Sequence, residues 1–143
     1  MPSFSHSIDV SKPPSEVFPW LLEQDKVPQW TSDLERYDVD GPLGVGTHVT
    51  QKLTVAGGIA LDMEITAYDP PRGAATAFDT NGVKVESEYI LEGSGSGSGT
   101  RVTQTLEAKA SGFAAKMLIP IVQGRLETKL KDDLERLKTL LEG

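Results

Sequence analysis

Cysteine is absent from this chain, which removes disulfide frameworks, thiolate metal sites and cysteine nucleophiles together. Histidine is nearly absent: His6 and His48 are far apart, with no carboxylates at ligand spacing beside either, so no metal site is expected. A basic stripe is lacking as well. The chain carries 14 basic and 21 acidic residues, a formal net charge of −7, with the acidic excess before residue 111. Nucleic-acid binding needs a cationic face to displace counterions, so that class of partner is not expected. There is no long apolar run: the most apolar window, Phe113 to Val122, is about half the length a bilayer requires and contains Lys116 and Pro120. Met1 to Val10 has no stretch of the signal-sequence kind. These absences predict a cytoplasmic protein without stable membrane insertion and without a cofactor, and they leave its oligomeric state open. The 143 residues suffice for one domain, 1–143, able to bury roughly 68–70% of its unfolded surface.

What is present divides into two patterns. From Arg36 to Lys109 the apolar residues alternate at the period of a strand: Ile59, Leu61, Met63, Ile65 and Ala67 share one face, as do Val83, Val85, Ser87, Tyr89 and Leu91. The last thirty residues follow a helical period through Phe113, Met117, Ile121, Leu126, Leu130, Leu134, Leu137 and Leu141. An earlier strand covers about Phe4 to Val10. Pro13-Pro14 ends it and opens a helix with Val17, Phe18, Leu21 and Leu22 inward, which Pro19 should kink or break. A second short helical turn is predicted at Val27-Pro28-Gln29-Trp30. Hairpin signals at Asp40-Gly41-Pro42, Ala56-Gly57-Gly58, Asp69-Pro70-Pro71 and Asn81-Gly82 make the sheet an antiparallel meander. A curved sheet facing a single long helix leaves space between them, and an internal cavity follows.

Polar residues interrupt the apolar face at three places: Gln51 between Val49 and Leu53, Ser87 between Val85 and Tyr89, and Gln104 between Val102 and Leu106. Burying such a group unpaired costs about 1–3 kcal/mol, so each either bonds locally near a strand end or lines a cavity. Three on separate strands favour the cavity. Trp30, Met63, Phe78, Tyr89, Phe113, Met117 and Ile121 are candidates for its apolar lining, with Trp30 in a lid-like position. Ordinary core packing is the alternative for each of them singly. His6 shares the inward parity of Ile8, which leaves a proton-transfer role open beside that of a strand-end histidine. Asp62, Glu64, Glu86 and Glu88 have outward parity and form a solvated surface. The alternating Gly93 to Gly99 run reads as a hairpin tip, since no Gly-Lys-Ser/Thr and no helix follow it.

Several motifs, in order, resemble a known group: Pro13-Pro14-Ser15-Glu16-Val17-Phe18, Pro28-Gln29-Trp30, and Gly41-Pro42 with Val45-Gly46-Thr47. Asp69-Pro70-Pro71-Arg72, Gly99-Thr100-Arg101-Val102-Thr103 and Asp133-Leu134-Glu135-Arg136-Leu137-Lys138 continue the series. Over the whole chain this is similar to the bacterial polyketide cyclase/dehydrase-like proteins of the START and birch-pollen-allergen superfamily. The resemblance implies an α+β helix-grip fold: a curved antiparallel sheet of six to seven strands wrapped around a long C-terminal helix, with two short helices after the first strand. It carries geometry and no catalytic residue set. The implied partner is a hydrophobic small molecule, lipid or polyketide-like, held in the cavity. A polyketide cyclase, aromatase or dehydratase is the alternative. Pro120 and Gly124 should weaken the terminal helix, making Ser111 to Ile119 either a gate for the ligand or one side of a fixed bend.

Overall fold

A computed structural model describes residues 3–54, 58–80, 82–93, 99–110 and 112–142, the side chains of 113–116 and 118–123 excepted. Strand β1 (Ser3–Val10) is followed by three single-turn helices, α1 (Pro14–Val17), α2 (Pro19–Leu22) and α3 (Val27–Trp30). Six strands come next: β2 (Leu34–Asp40), β3 (His48–Leu53), β4 (Ile59–Asp69), β5 (Gly73–Thr80), β6 (Val83–Gly93) and β7 (Thr100–Ala110). Helix α4 (Phe113–Glu142) ends the chain.

Proline explains the short helices. Pro14, Pro19 and Pro28 each sit at the start of a turn, where a missing N–H leaves no bond unmade. The helix expected from Pro14 onward is divided at Pro19 into α1 and α2, because Pro19 cannot donate to the turn before it. Val17, Leu21 and Leu22 are nonetheless buried from both pieces.

All seven strands form one antiparallel sheet in the order β1-β7-β6-β5-β4-β3-β2. The meander β2 to β7 runs edge to edge, and β1 closes on β7 with Ile8 opposite Val102. Thr80 pairs with Val83, and Asn81 of the turn expected between them lies outside the described residues. The turn expected at Ala56-Gly57-Gly58 and the run within Gly93 to Gly99 fall largely outside the described residues. Strand β4 departs from simple alternation. Leu61, Met63 and Ile65 are buried, but the register to β5 shifts between Ile65 and Ala67, and Ala67 is exposed while Tyr68 turns towards the core. Tyr68 there meets Phe18 edge-on, ring centroids 5.5 Å apart. Gly73 permits a close approach beside this bulge: a Cβ on it would stand 2.5 Å from the Tyr89 carbonyl oxygen.

The concave face receives α4 through Leu130, Leu134, Leu137 and Leu141, all buried, with Leu134 and Leu137 inaccessible to solvent. The helix lies chiefly along β1 and β7, with α3 against it. Assigned helix continues through Pro120 and Gly124. Met117, expected to face inward, is exposed. The side chains of Phe113 and Ile121 lie outside the described residues. No helix among those described is long and apolar enough to cross a membrane.

Candidate ligand-binding cavity

Because α4 is anchored on the β1/β7 side of the sheet, the concave face under β3 to β6 is only partly covered. Space remains there in two adjoining chambers. The inner one, about 160 Å³, is bordered by Trp30 of α3, by Gln51, Met63, Thr76, Phe78, Ser87, Tyr89 and Gln104 of the sheet, and by Leu130 and Asp133 of α4. The outer one, about 640 Å³, is bordered by Ile59 and Thr80, by Ser32 and Asp33 at the start of β2, and by Gly124, Arg125, Thr128 and Asp132 of α4. Leu53, Leu61, Phe78, Val85, Leu126 and Lys129 border both, where the two adjoin.

Seven of the ten residues expected at the site therefore meet around the inner chamber: Trp30, Gln51, Met63, Phe78, Ser87, Tyr89 and Gln104. Alternation on β3 to β7 brings six of them there, and α3 brings Trp30. Trp30 is a buried wall rather than a lid, its indole N–H donating to the Trp20 carbonyl at 2.8 Å. Met117 borders neither chamber, and Phe113 and Ile121 cannot be placed for the reason given above. His6 is also elsewhere: on β1 opposite Gln104, its Nε2 lies 2.8 Å from the Glu135 carboxylate, at the seam between β1 and α4.

The inward polar residues form a connected set. The Gln104 amide donates to Ser87 Oγ at 2.9 Å and to the Tyr89 hydroxyl at 3.2 Å across the β6/β7 pair. The Gln51 amide donates to Met63 Sδ at 3.1 Å, a weak acceptor. Burial pushes the Tyr89 hydroxyl well above the ordinary phenol range; a hydrogen bond with Ser87 opposes this and the Asp133 charge adds to it. Tyr89 is consequently a neutral phenol at physiological pH.

Asp133 is the functional candidate that sequence reasoning missed. It is buried and accepts from the Ser32 backbone N–H at 3.0 Å, from Lys129 Nζ at 2.6 Å and from Arg136 Nη1 at 3.4 Å. Lys129 also donates to the Ser32 carbonyl at 2.8 Å, and Arg136 to the Trp30 carbonyl at 3.2 Å. The chain from Trp30 to Ser32, which forms one rim of the cavity, is thus pinned to α4 by ionic hydrogen bonds. A signal was available: Asp133 lies three residues after Leu130 and directly before Leu134, on the inward stripe of the helix, with basic residues at i−4 and i+3. No described side-chain nitrogen or oxygen is buried without a partner, and no three described His, Asp or Glu residues cluster as metal ligands.

Comparison with known proteins agrees with this architecture. Residues 1–142 match the family described as "Polyketide cyclase / dehydrase and lipid transport". No curated protein matches the chain. Among solved structures, that of TTHA0849 from Thermus thermophilus superposes with a TM-score of 0.77 at 17% identity, over 96% of this chain and 95% of that one. The structure of Ara h 8.0201 gives 0.71 at 16% identity, over 98% and 97%. The di-domain ARO/CYC BexL, from the BE-7585A biosynthetic pathway, gives 0.72 at 17% identity, over 97% of this chain and 46% of that one. At such identities the likeness is one of fold.

Proposed function

The chain belongs to the polyketide cyclase/dehydrase and lipid transport family, and from that premise we propose that it binds and carries a hydrophobic small molecule, lipid or polyketide-like, in the cytoplasm. The observation that carries this reading is the cavity. It combines a mostly apolar wall of Leu53, Leu61, Phe78, Val85 and Leu126 with a few fixed polar groups, the usual constitution of a small-molecule site. Trp30, Gln51, Met63, Phe78, Ser87, Tyr89 and Gln104 are its contact residues. The one described carboxylate at the inner chamber, Asp133, is engaged by the Ser32 N–H, Lys129 and Arg136, which supports binding over base catalysis.

A second reading, a cyclase or dehydratase acting on a bound chain, is favoured by one feature. The Asp133 carboxylate and the Tyr89 hydroxyl border the same chamber and could exchange protons with a ligand carbonyl and its neighbouring carbon. Native mass spectrometry of the purified protein separates the readings. We expect a bound apolar species that dissociates unchanged after prolonged incubation. A species that loses water, or keeps its mass but shifts in chromatographic retention as ring closure requires, on incubation with wild-type protein but not with the Tyr89→Phe variant, supports the enzyme. Failure to retain any apolar compound, co-purified or added, refutes both.

A further inference from the structure

The two chambers differ in chemistry, and the difference selects which end of a ligand goes in first. Where the chambers adjoin, the walls are aliphatic or aromatic apart from Lys129, whose ammonium is held by Asp133 and the Ser32 carbonyl. At the inner end Tyr89, Ser87, Gln104 and Gln51 converge. Resting on the binding function proposed above, we infer that the ligand inserts an uncharged oxygen acceptor, a carbonyl or hydroxyl, into the inner chamber, leaves its apolar body in the outer one, and cannot carry an ionised carboxylate at the inserted end.

Hydrogen-bond arithmetic supplies the first half. Gln104 gives one N–H to Ser87 and one to Tyr89, so each hydroxyl already accepts a bond and still has its own hydrogen to give. One of the two can be given to the other hydroxyl; the second remains for whatever occupies the chamber. Gln51 has spent one amide hydrogen on a thioether and keeps a second. The inner end therefore offers more donors than the protein itself satisfies. A ligand oxygen meets that surplus, and a hydrocarbon leaves it unmet.

Charge supplies the second half. Among the described residues the one ammonium bordering the inner chamber, Lys129, is held at 2.6 Å by Asp133, and its other described bond goes to the Ser32 carbonyl. Arg136, the other cation on Asp133, borders neither chamber. At the outer chamber Arg125 and Lys129 are matched by Asp33 and Asp132. Burial, which chiefly raises the Tyr89 hydroxyl, would equally oppose an ionised carboxylate beside it, and the Asp133 charge is already matched by Lys129 and Arg136. Such a carboxylate would lose its hydration without gaining a cation.

The test is a titration of the full chain, at neutral pH, with naphthyl methyl ketone, ethylnaphthalene and naphthoate, which share one apolar body. The ratio of ketone to hydrocarbon affinity should fall by about tenfold in the Ser87→Ala/Tyr89→Phe double variant, the loss of one buried hydrogen bond. Naphthoate should bind wild-type protein at least about 100-fold more weakly than the ketone. An unchanged ratio, or naphthoate binding as tightly as the ketone, overturns the inference while leaving cavity binding intact. Binding of none of the three overturns both. The wild-type comparison of ketone with naphthoate requires no variant, so a misfolded double variant would not shelter the proposal.

Discussion

Asp133 and Asp62 are both aspartates in ion pairs, one inside the grip and one on its outer surface. Asp133 has 6% of its side chain exposed and accepts from one backbone N–H and two cations that also hold the Trp30–Ser32 segment. Asp62 lies in solvent and meets His48 at 3.1 Å, both side chains being more than half or about half exposed. The same residue type ties two elements together in the first setting and trims surface charge in the second. Burial decides which, because water competes for every partner that Asp62 has and for few of those that Asp133 has.

The sharpest way to break this contrast is Asp133→Ala. It would strand Lys129 and Arg136 beside a buried boundary and leave the Ser32 N–H without its acceptor. Removing one member of a buried ionic cluster costs about 3–5 kcal/mol, and we expect about 3, since Lys129 and Arg136 keep some access to water. Urea unfolding measures it. A loss no greater than that from Asp62→Ala would mean that the cluster does not hold the rim to the helix.

The interior cluster also marks where sequence reasoning stopped. Strand order, hairpin registers and the inward positions of Met63, Phe78, Ser87, Tyr89 and Gln104 were legible because period-two alternation survives on β5, β6 and β7. It fails on β4 after Ile65, where one extra residue reverses the parity of Ala67, and alternation carries no warning of a bulge. The helix was harder to read. An apolar stripe was traced through Leu126 to Leu141 by its leucines, so an acid on the same stripe passed unnoticed, and extending the phase backwards past Gly124 turned Met117 inward when it is exposed. Helical phase accumulates error with distance, whereas strand parity is renewed at each hairpin.

A smaller effect should come from a single buried hydrogen bond. Thr100 is fully buried at the start of β7, and its hydroxyl donates to the Lys12 carbonyl at 2.7 Å, fastening the end of the β1 to α1 link. Thr100→Val keeps the shape and leaves that carbonyl without its donor, for which we expect a loss of about 1 kcal/mol in the same unfolding measurement. It should exceed the loss from Arg101→Ala at the next position, where the pair with Asp9 is solvent-exposed.

The smallest effects belong to exposed pairs whose signs oppose one another. The hydrogen bond to Asp62 raises the His48 pKa above 6.5, and the charges of Asp62, Glu64 and Asp40 assist. Its folded value is the higher one, so its contribution is complete below about pH 6.5 and is lost as pH rises through the raised folded value. Glu142 behaves in the other direction. The Ser11 backbone N–H and then its hydroxyl hold the carboxyl below 4.5, joining the last turn of α4 to the end of β1. Its contribution is complete above about pH 4.5 and is lost as pH falls through the lowered folded value. His48→Gln should therefore flatten the stability profile on the neutral side, and Glu142→Gln should flatten it on the acid side. Both changes should be slight beside Asp133→Ala, and the His48 effect, which rests on neighbouring charges in water, should shrink in high salt. Unfolding midpoints measured across pH for the two variants check this directly: a slope change on the wrong side of neutrality for either, or a His48 effect that survives high salt undiminished, would remove the distinction between outer and inner pairs.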